Sequence, residues 1–228
     1  MECFLYILLF GTSASEVCQN LDQLVKGLAE VGLILNSSKT VALTTEAQAP
    51  YVIKTPSNVE IRVIERLSSH KWLGCMLSTP YSGAHGLDVD FHLQAASKAF
   101  YANRFLLTDR RTSICARLKY FITVISPVAC FAAGHRIHYQ DDLHRMGTHF
   151  RKLARQVVGP PPGVDWSGPW HEVLHVWHQR LDHFMCRSRV PSWPKLCMKS
   201  YWDFCDYVAN LPSNRWVCRV LKWNPPGI

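Results

Sequence analysis

Long apolar runs are missing. No stretch reaches the roughly 20 residues that a membrane helix needs, so the sequence implies no membrane span. Charge is sparse, at 18% of residues, against 48% hydrophobic and 11% aromatic residues. That balance excludes a wholly disordered chain and a collagen-like or low-complexity fibre. Internal repeats and a glycine-rich phosphate loop are absent. Ser113 and Cys115 have no partner arrangement for a nucleophile, so no hydrolase site is read. Cysteines are present, nine of them, but none forms a Cys-x-x-Cys pair. In a chain of 228 residues, far longer than a disulfide mini-scaffold, that odd and scattered set reads as reduced thiols in an intracellular compartment, mostly buried as small hydrophobes. The competing reading is a secreted protein with paired cysteines.

Net positive charge is missing from the first half. Residues 1–108 carry 8 Lys and Arg against 9 Asp and Glu, whereas residues 109–228 carry 17 against 8. The total of +8 therefore belongs to the second half, and a contact with RNA or DNA is sought there. The plain alternative is a solvated, solubilising helical face. Residues 3–10 are continuously apolar and are followed by Gly-Thr-Ser-Ala-Ser. A signal peptide would look similar, but no Lys or Arg precedes the core, and Glu2 has the wrong sign. The other reading is a buried strand ending at Gly11, then a helix capped by Ser13 or Ser15, with Glu16 in its first turn.

Apolar spacing predicts a helix over 16–31, with Gly32 as its left-handed cap. Leu33-Ile34-Leu35 reads as a short strand, Asn36-Ser37-Ser38 as a turn and 39–43 as a strand. Residues 44–58 read as loop or hairpin, 59–64 as a half-buried strand, and 72–77 as a strand interrupted by a glycine. After Pro80 the period becomes helical, with long helices expected over 88–108, 111–131, 140–158 and about 168–187. Pro127 is expected to kink or end the second of these, and Gly159 with the prolines at 160–162 forms the clearest linker. The expected organisation is an α+β segment over 1–80, a mainly helical region over 81–159 and a Trp- and Cys-rich extension over 160–228.

Three segments in this order resemble a known pattern. They are Ile7-Leu8-Leu9-Phe10-Gly11 before a helix, Val31-Gly32-Leu33-Ile34-Leu35-Asn36-Ser37-Ser38-Lys39-Thr40, and His70-Lys71-Trp72-Leu73-Gly74-Cys75-Met76-Leu77. Together they resemble the C-terminal palm of reverse transcriptases from LINE-type (non-LTR) retrotransposons. The basic helices after residue 88 resemble that family's thumb, and the match covers about residues 3–180, weakening after 80. The resemblance implies a partial reverse-transcriptase palm, with short antiparallel strands plus a helix, followed by a helical thumb-like region. It also puts Leu5 and Tyr6 where the family has the two aspartates of its metal box. Nucleotide transfer by two divalent metals needs those carboxylates, and neither leucine nor a neutral tyrosine replaces them. The intact family uses Mg²⁺. For this chain no cofactor and no metal ligand set is expected, no polymerase activity is expected from it alone, and no oligomeric state follows.

By the same resemblance, Lys39 lies near an incoming triphosphate, where its charge would complement pyrophosphate. The alternative is a solvated turn lysine. Lys71, Trp72 and Gly74 match the primer-grip hairpin, the glycine allowing close backbone approach to a phosphate; the alternative is an ordinary strand with Trp72 in the core. From the residues themselves, Arg110, Arg111, Arg117, Lys119, Arg145, Arg151, Lys152 and Arg155 are candidates to track a phosphate backbone. His171, His175 and His178 stand at helical spacing with His183 beyond, but not in a His-Glu-x-x-His arrangement. Cys197, Cys205 and Cys218 lack zinc-knuckle spacing. Trp193, Trp202, Trp216 and Trp223 either stack on single-stranded bases or pack a small core.

Overall fold

Serine and acid together start the first helix. Ser13 Oγ accepts the Glu16 amide at 3.2 Å, while the Glu16 carboxylate accepts the amide and hydroxyl of Thr12, both at 2.8 Å. These bonds hold the Glu16 carboxyl below its ordinary pKa, the Thr12 amide contributing most. The cap is thus Ser13 rather than Ser15, and α1 runs Ala14–Glu30. It ends where Gly32 takes φ +76° and the amides of Gly32 and Leu33 return to Ala29 and Leu28, closing a Schellman motif.

The structure, a computed structural model, describes residues 7, 9, 11–44, 52–55, 59–64, 69–78, 84–135, 138–164 and 166–215. The strand expected near residues 3–10 falls mostly outside them. The fold is α+β. It divides into two units, Met1–Ala84 and His85–Ile228.

In the first unit, β1 (Val41–Leu43), β2 (Val52–Lys54) and β3 (Glu60–Ile64) form a sheet ordered β1-β3-β2. β2 and β3 pair antiparallel, closed by Thr55 N–H to Val59 O at 3.0 Å, but β1 lies parallel to β3. The antiparallel expectation holds for β2 with β3 and is corrected for β1. Two reversals of direction between β1 and β3 bring the chain back in its starting sense, and β1 takes the free edge of β3. Leu33-Ile34-Leu35 joins no sheet, and Ile34 is 95% exposed, so three apolar residues without a paired edge make no strand.

Residues 72–77 are not one strand either. β4 (Ser69–Trp72) and β5 (Cys75–Ser78) form a hairpin in which Trp72 faces Cys75 across the ladder. The turn residues Leu73 and Gly74 have φ +46° and +89°. A two-residue hairpin whose twist matches its strands needs positive φ at both positions, and that is the reason for the glycine.

The second unit is helical: α2 (Ala84–Ala102), α3 (Arg104–Leu107), α4 (Ile114–Val124), α5 (Ser126–Ala129), a 3₁₀ turn at Ala133–His135, α6 (Gln140–Val158), α7 (Trp170–Ser188) and α8 (Trp193–Ala209). The expected helix 88–108 breaks at Asn103, whose side-chain amide donates to Ala99 O at 2.8 Å while its Oδ1 accepts the Tyr120 hydroxyl at 2.9 Å. The expected helix 111–131 starts after a Ser113 cap and divides before Ser126. Pro127, lacking an amide hydrogen, sits in the first turn of α5 where none is needed.

Phe100, Leu107, Leu118, Phe121, Phe150, Leu181 and Trp193 meet in one buried core. The unit extends across the proline run, because α7 packs on α4 and α6, and α8 on α6. Helix α8 has no counterpart among the helices expected from apolar spacing. Its Trp193 is fully buried and donates Nε1–H to Ser126 Oγ at 2.8 Å, so this tryptophan is core and not a base-stacking platform. Trp202 is 62% exposed; Trp216, Trp223 and Cys218 lie outside the described residues. None of the seven described cysteines is in a disulfide, but only Cys197 of them is buried, which corrects the expectation of mostly buried cysteines.

Candidate nucleic-acid interface

In the first unit, Asn36 shapes the turn that carries Lys39. Its Oδ1 accepts the Ser38 hydroxyl at 2.7 Å and the Lys39 amide at 3.1 Å, leaving Lys39 exposed. On the β4–β5 hairpin, Lys71 is exposed opposite Met76, and Trp72 is half-buried rather than in a core.

The candidate cations of the helical unit divide into three sets. Some are spent on nearby carboxylates. Arg145 of α6 is bound by Asp142, at 3.3 Å, and by Asp90 of α2. Arg111 is bound through Nε to Asp109 at 3.2 Å, which holds the Asp109 carboxyl below its ordinary pKa, the Arg111 amide contributing most. Arg117 is a correction: it is only 7% exposed, and its Nη1 donates to Val157 O at 2.7 Å. That bond satisfies a carbonyl left open at the end of α6, so the side chain is not free to follow a backbone.

A second set lies on the outer turns of α6. Arg151 and Lys152 are exposed, and Arg151 reaches Asp182 of α7 at 3.3 Å. Arg155 lies over the Trp177 ring, 5.9 Å from its centroid, and contacts His178 Nε2 at 3.1 Å. Burial, and then the charge of Arg151, lower the Arg155 pKa. His175 Nε2 is bonded to Gln179 at 2.8 Å, so two of the three helically spaced histidines have side-chain partners on α6 and α7.

The third set is a convergence invisible in the sequence. Arg110 and Arg117 share a cleft with Arg104 of α3 and Arg180 of α7. Arg104 and Arg180 stand in no basic run, and only the packing of α7 against α4 brings them together. Trp177 lines this cleft and also carries Arg155 on its ring, so the second and third sets adjoin. Lys119 is exposed on α4.

Two histidines of this unit have lowered pKa values. His149 is pushed below the ordinary histidine pKa by burial, with Lys152 adding to it. Ser97 Oγ gives its hydrogen to Leu93 O at 2.9 Å, so it accepts from His149 Nε2 at 2.8 Å. His178 is lowered by burial and then by Arg155, Arg151 and His175, with Asp182 opposing. A histidine with a depressed folded pKa gives stability that is present above the unfolded value of about 6.5 and lost as pH falls through the folded one. The melting temperature is therefore expected to fall between about pH 7.5 and about pH 5.5, and His149→Gln to flatten that slope. Melts of both proteins at the two pH values check this; an unchanged slope in the variant would remove His149 as a cause.

Compared with known proteins, the chain matches no family model, no curated protein and no solved structure. Among the described residues no helix is long and apolar enough to cross a membrane.

Proposed function

We propose that this chain is a palm-to-thumb portion of a LINE-type reverse transcriptase, inactive as a polymerase by itself, whose helical unit holds a nucleic-acid backbone. The three ordered motifs support the family reading. The observation that carries the binding function is the α6 face, where Arg151, Lys152 and Arg155 lie within two turns, with His178 of α7 against Arg155. Cations so placed act on phosphates without reading bases, so binding is sequence-tolerant and salt-dependent.

Fluorescence anisotropy with labelled single-stranded RNA and DNA of mixed sequence tests this. With Arg110, Lys119, Arg151 and Lys152 exposed, the plot of log affinity against log salt for these single strands is expected to have a slope of roughly −3. Absence of binding at low salt would defeat the reading. It would favour a helical interaction module, for which the exposed Trp202 and Tyr207 of α8, 62% and 61% accessible, are the supporting observation. In a primer-extension assay with Mg²⁺ or Mn²⁺, the chain is expected to incorporate nothing. Template-dependent incorporation would refute the assignment of Leu5 and Tyr6 to the aspartate positions.

A further inference from the structure

The cleft between the α3–α4 connection, the end of α6 and α7 has a volume of about 900 Å³. Arg104, Arg110, Arg117 and Arg180 line it, and no Asp or Glu is among its described lining residues. The nearest acid acting on Arg117 is Asp109, whose carboxylate is already engaged by the amide and side chain of Arg111. Arg117 Nε, Arg180 Nε and Trp177 Nε1, on three of the lining residues, have no hydrogen-bond partner, but these atoms are shielded from solvent and so do not themselves face the open cleft. Arg117 is 7% exposed and is held in place by its bond to Val157 O. Ser113 and Ile114, the cap and first residue of α4, also line the cleft, putting the positive end of that helix dipole there.

We infer that this cleft is a discrete binding site for a nucleotide-sized ligand bearing two or more adjacent phosphates. A single small anion would leave most of the four guanidinium charges unmatched, whereas linked phosphates span them, and the cleft lies within the range of small-molecule sites. Burial is the main influence lowering the Arg117 pKa, and Arg110 and Arg180 add to it against Asp109, so an anion there relieves repulsion between like charges. The Trp177 ring lines the cleft with Arg155 over one of its faces, so that face is not offered for stacking. The inference stands on the cleft and not on the reverse-transcriptase reading. The phosphates belong either to a free nucleotide or to the 5′ end of an RNA strand.

Isothermal titration of the full chain with inorganic tripolyphosphate tests the site. One saturable site per chain is expected, weakened at least about tenfold by Arg180→Gln and by Arg110→Gln, and less than about twofold by the charge-matched Lys119→Gln. Arg117→Gln is avoided because that side chain also closes α6, and melts confirm that the other variants fold. No saturable heat at low salt would overturn the inference, as would equal weakening by Lys119→Gln. Competition names the source: ATP displacing tripolyphosphate supports a free nucleotide, and 5′-triphosphate RNA displacing it better than ATP supports a strand end. Equal displacement by 5′-hydroxyl and 5′-triphosphate RNA would overturn the discrete site in favour of a backbone track. Loss of tripolyphosphate binding in Arg180→Gln with RNA affinity retained separates this site from the proposed α6 interface.

Discussion

Trp193→Ala is expected to lower the melting temperature of the helical unit by about 10–15 °C, from a destabilisation of about 3–5 kcal/mol. Trp193 has no exposed surface. It stacks on Phe121 with centroids 5.9 Å apart, meets Phe150 edge-on at 5.6 Å and lies parallel to His149 at 6.1 Å. Truncation leaves a cavity where α4, α6 and α8 meet, because the flanking rings belong to separate helices that cannot all close on it. It also removes the donor to the buried Ser126 hydroxyl, a further cost because that oxygen has no route to water. Trp202→Ala on the same helix, at a 62% exposed position, is expected to change stability by less than about 0.5 kcal/mol. Thermal melts of the three proteins decide the matter. A Trp193→Ala melt within about 3 °C of the parent would mean that α8 does not close this core.

The combined replacement Arg151→Gln/Lys152→Gln/Arg155→Gln is expected to weaken RNA binding on the order of 100-fold and to make the salt slope shallower by roughly one for each phosphate no longer neutralised. The slope is the diagnostic part. A fold defect lowers the active fraction but leaves the slope unchanged, whereas removing cations from the phosphates reduces the number of counterions released. Arg151 and Lys152 are exposed, and glutamine keeps much of the side-chain length that Arg155 lays over Trp177, so the fold is expected to survive. Anisotropy across a salt series on parent and variant measures both quantities. An unchanged slope would place the nucleic-acid interface elsewhere on the chain.

Part of this proposed interface was legible in the sequence. The helical spacing of α6 and its stop at Gly159 put Arg151 and Arg155 one turn apart on one face, as the helix bears out. What the spacing could not reveal is which charges meet partners far along the chain. Arg145 is held by Asp90 from α2, Arg151 meets Asp182 from α7, and Arg117 turns inward to close α6. Each of these partners is distant in sequence. The cleft was illegible for the same reason, since two of its four arginines come from segments with no basic run.

By itself the sequence determined the features that depend on neighbours along the chain: the serine-capped start of α1, its Gly32 end, the Asn36 turn, the limits of α6 and the charge asymmetry between the halves. Local bonds set these, within four residues or so. Only the tertiary structure decided the parallel pairing of β1 with β3, the role of α8 as core and the inward turn of Arg117. A strand has no direction relative to its neighbour until the two meet. A tryptophan or an arginine has no side, buried or exposed, until another element covers it.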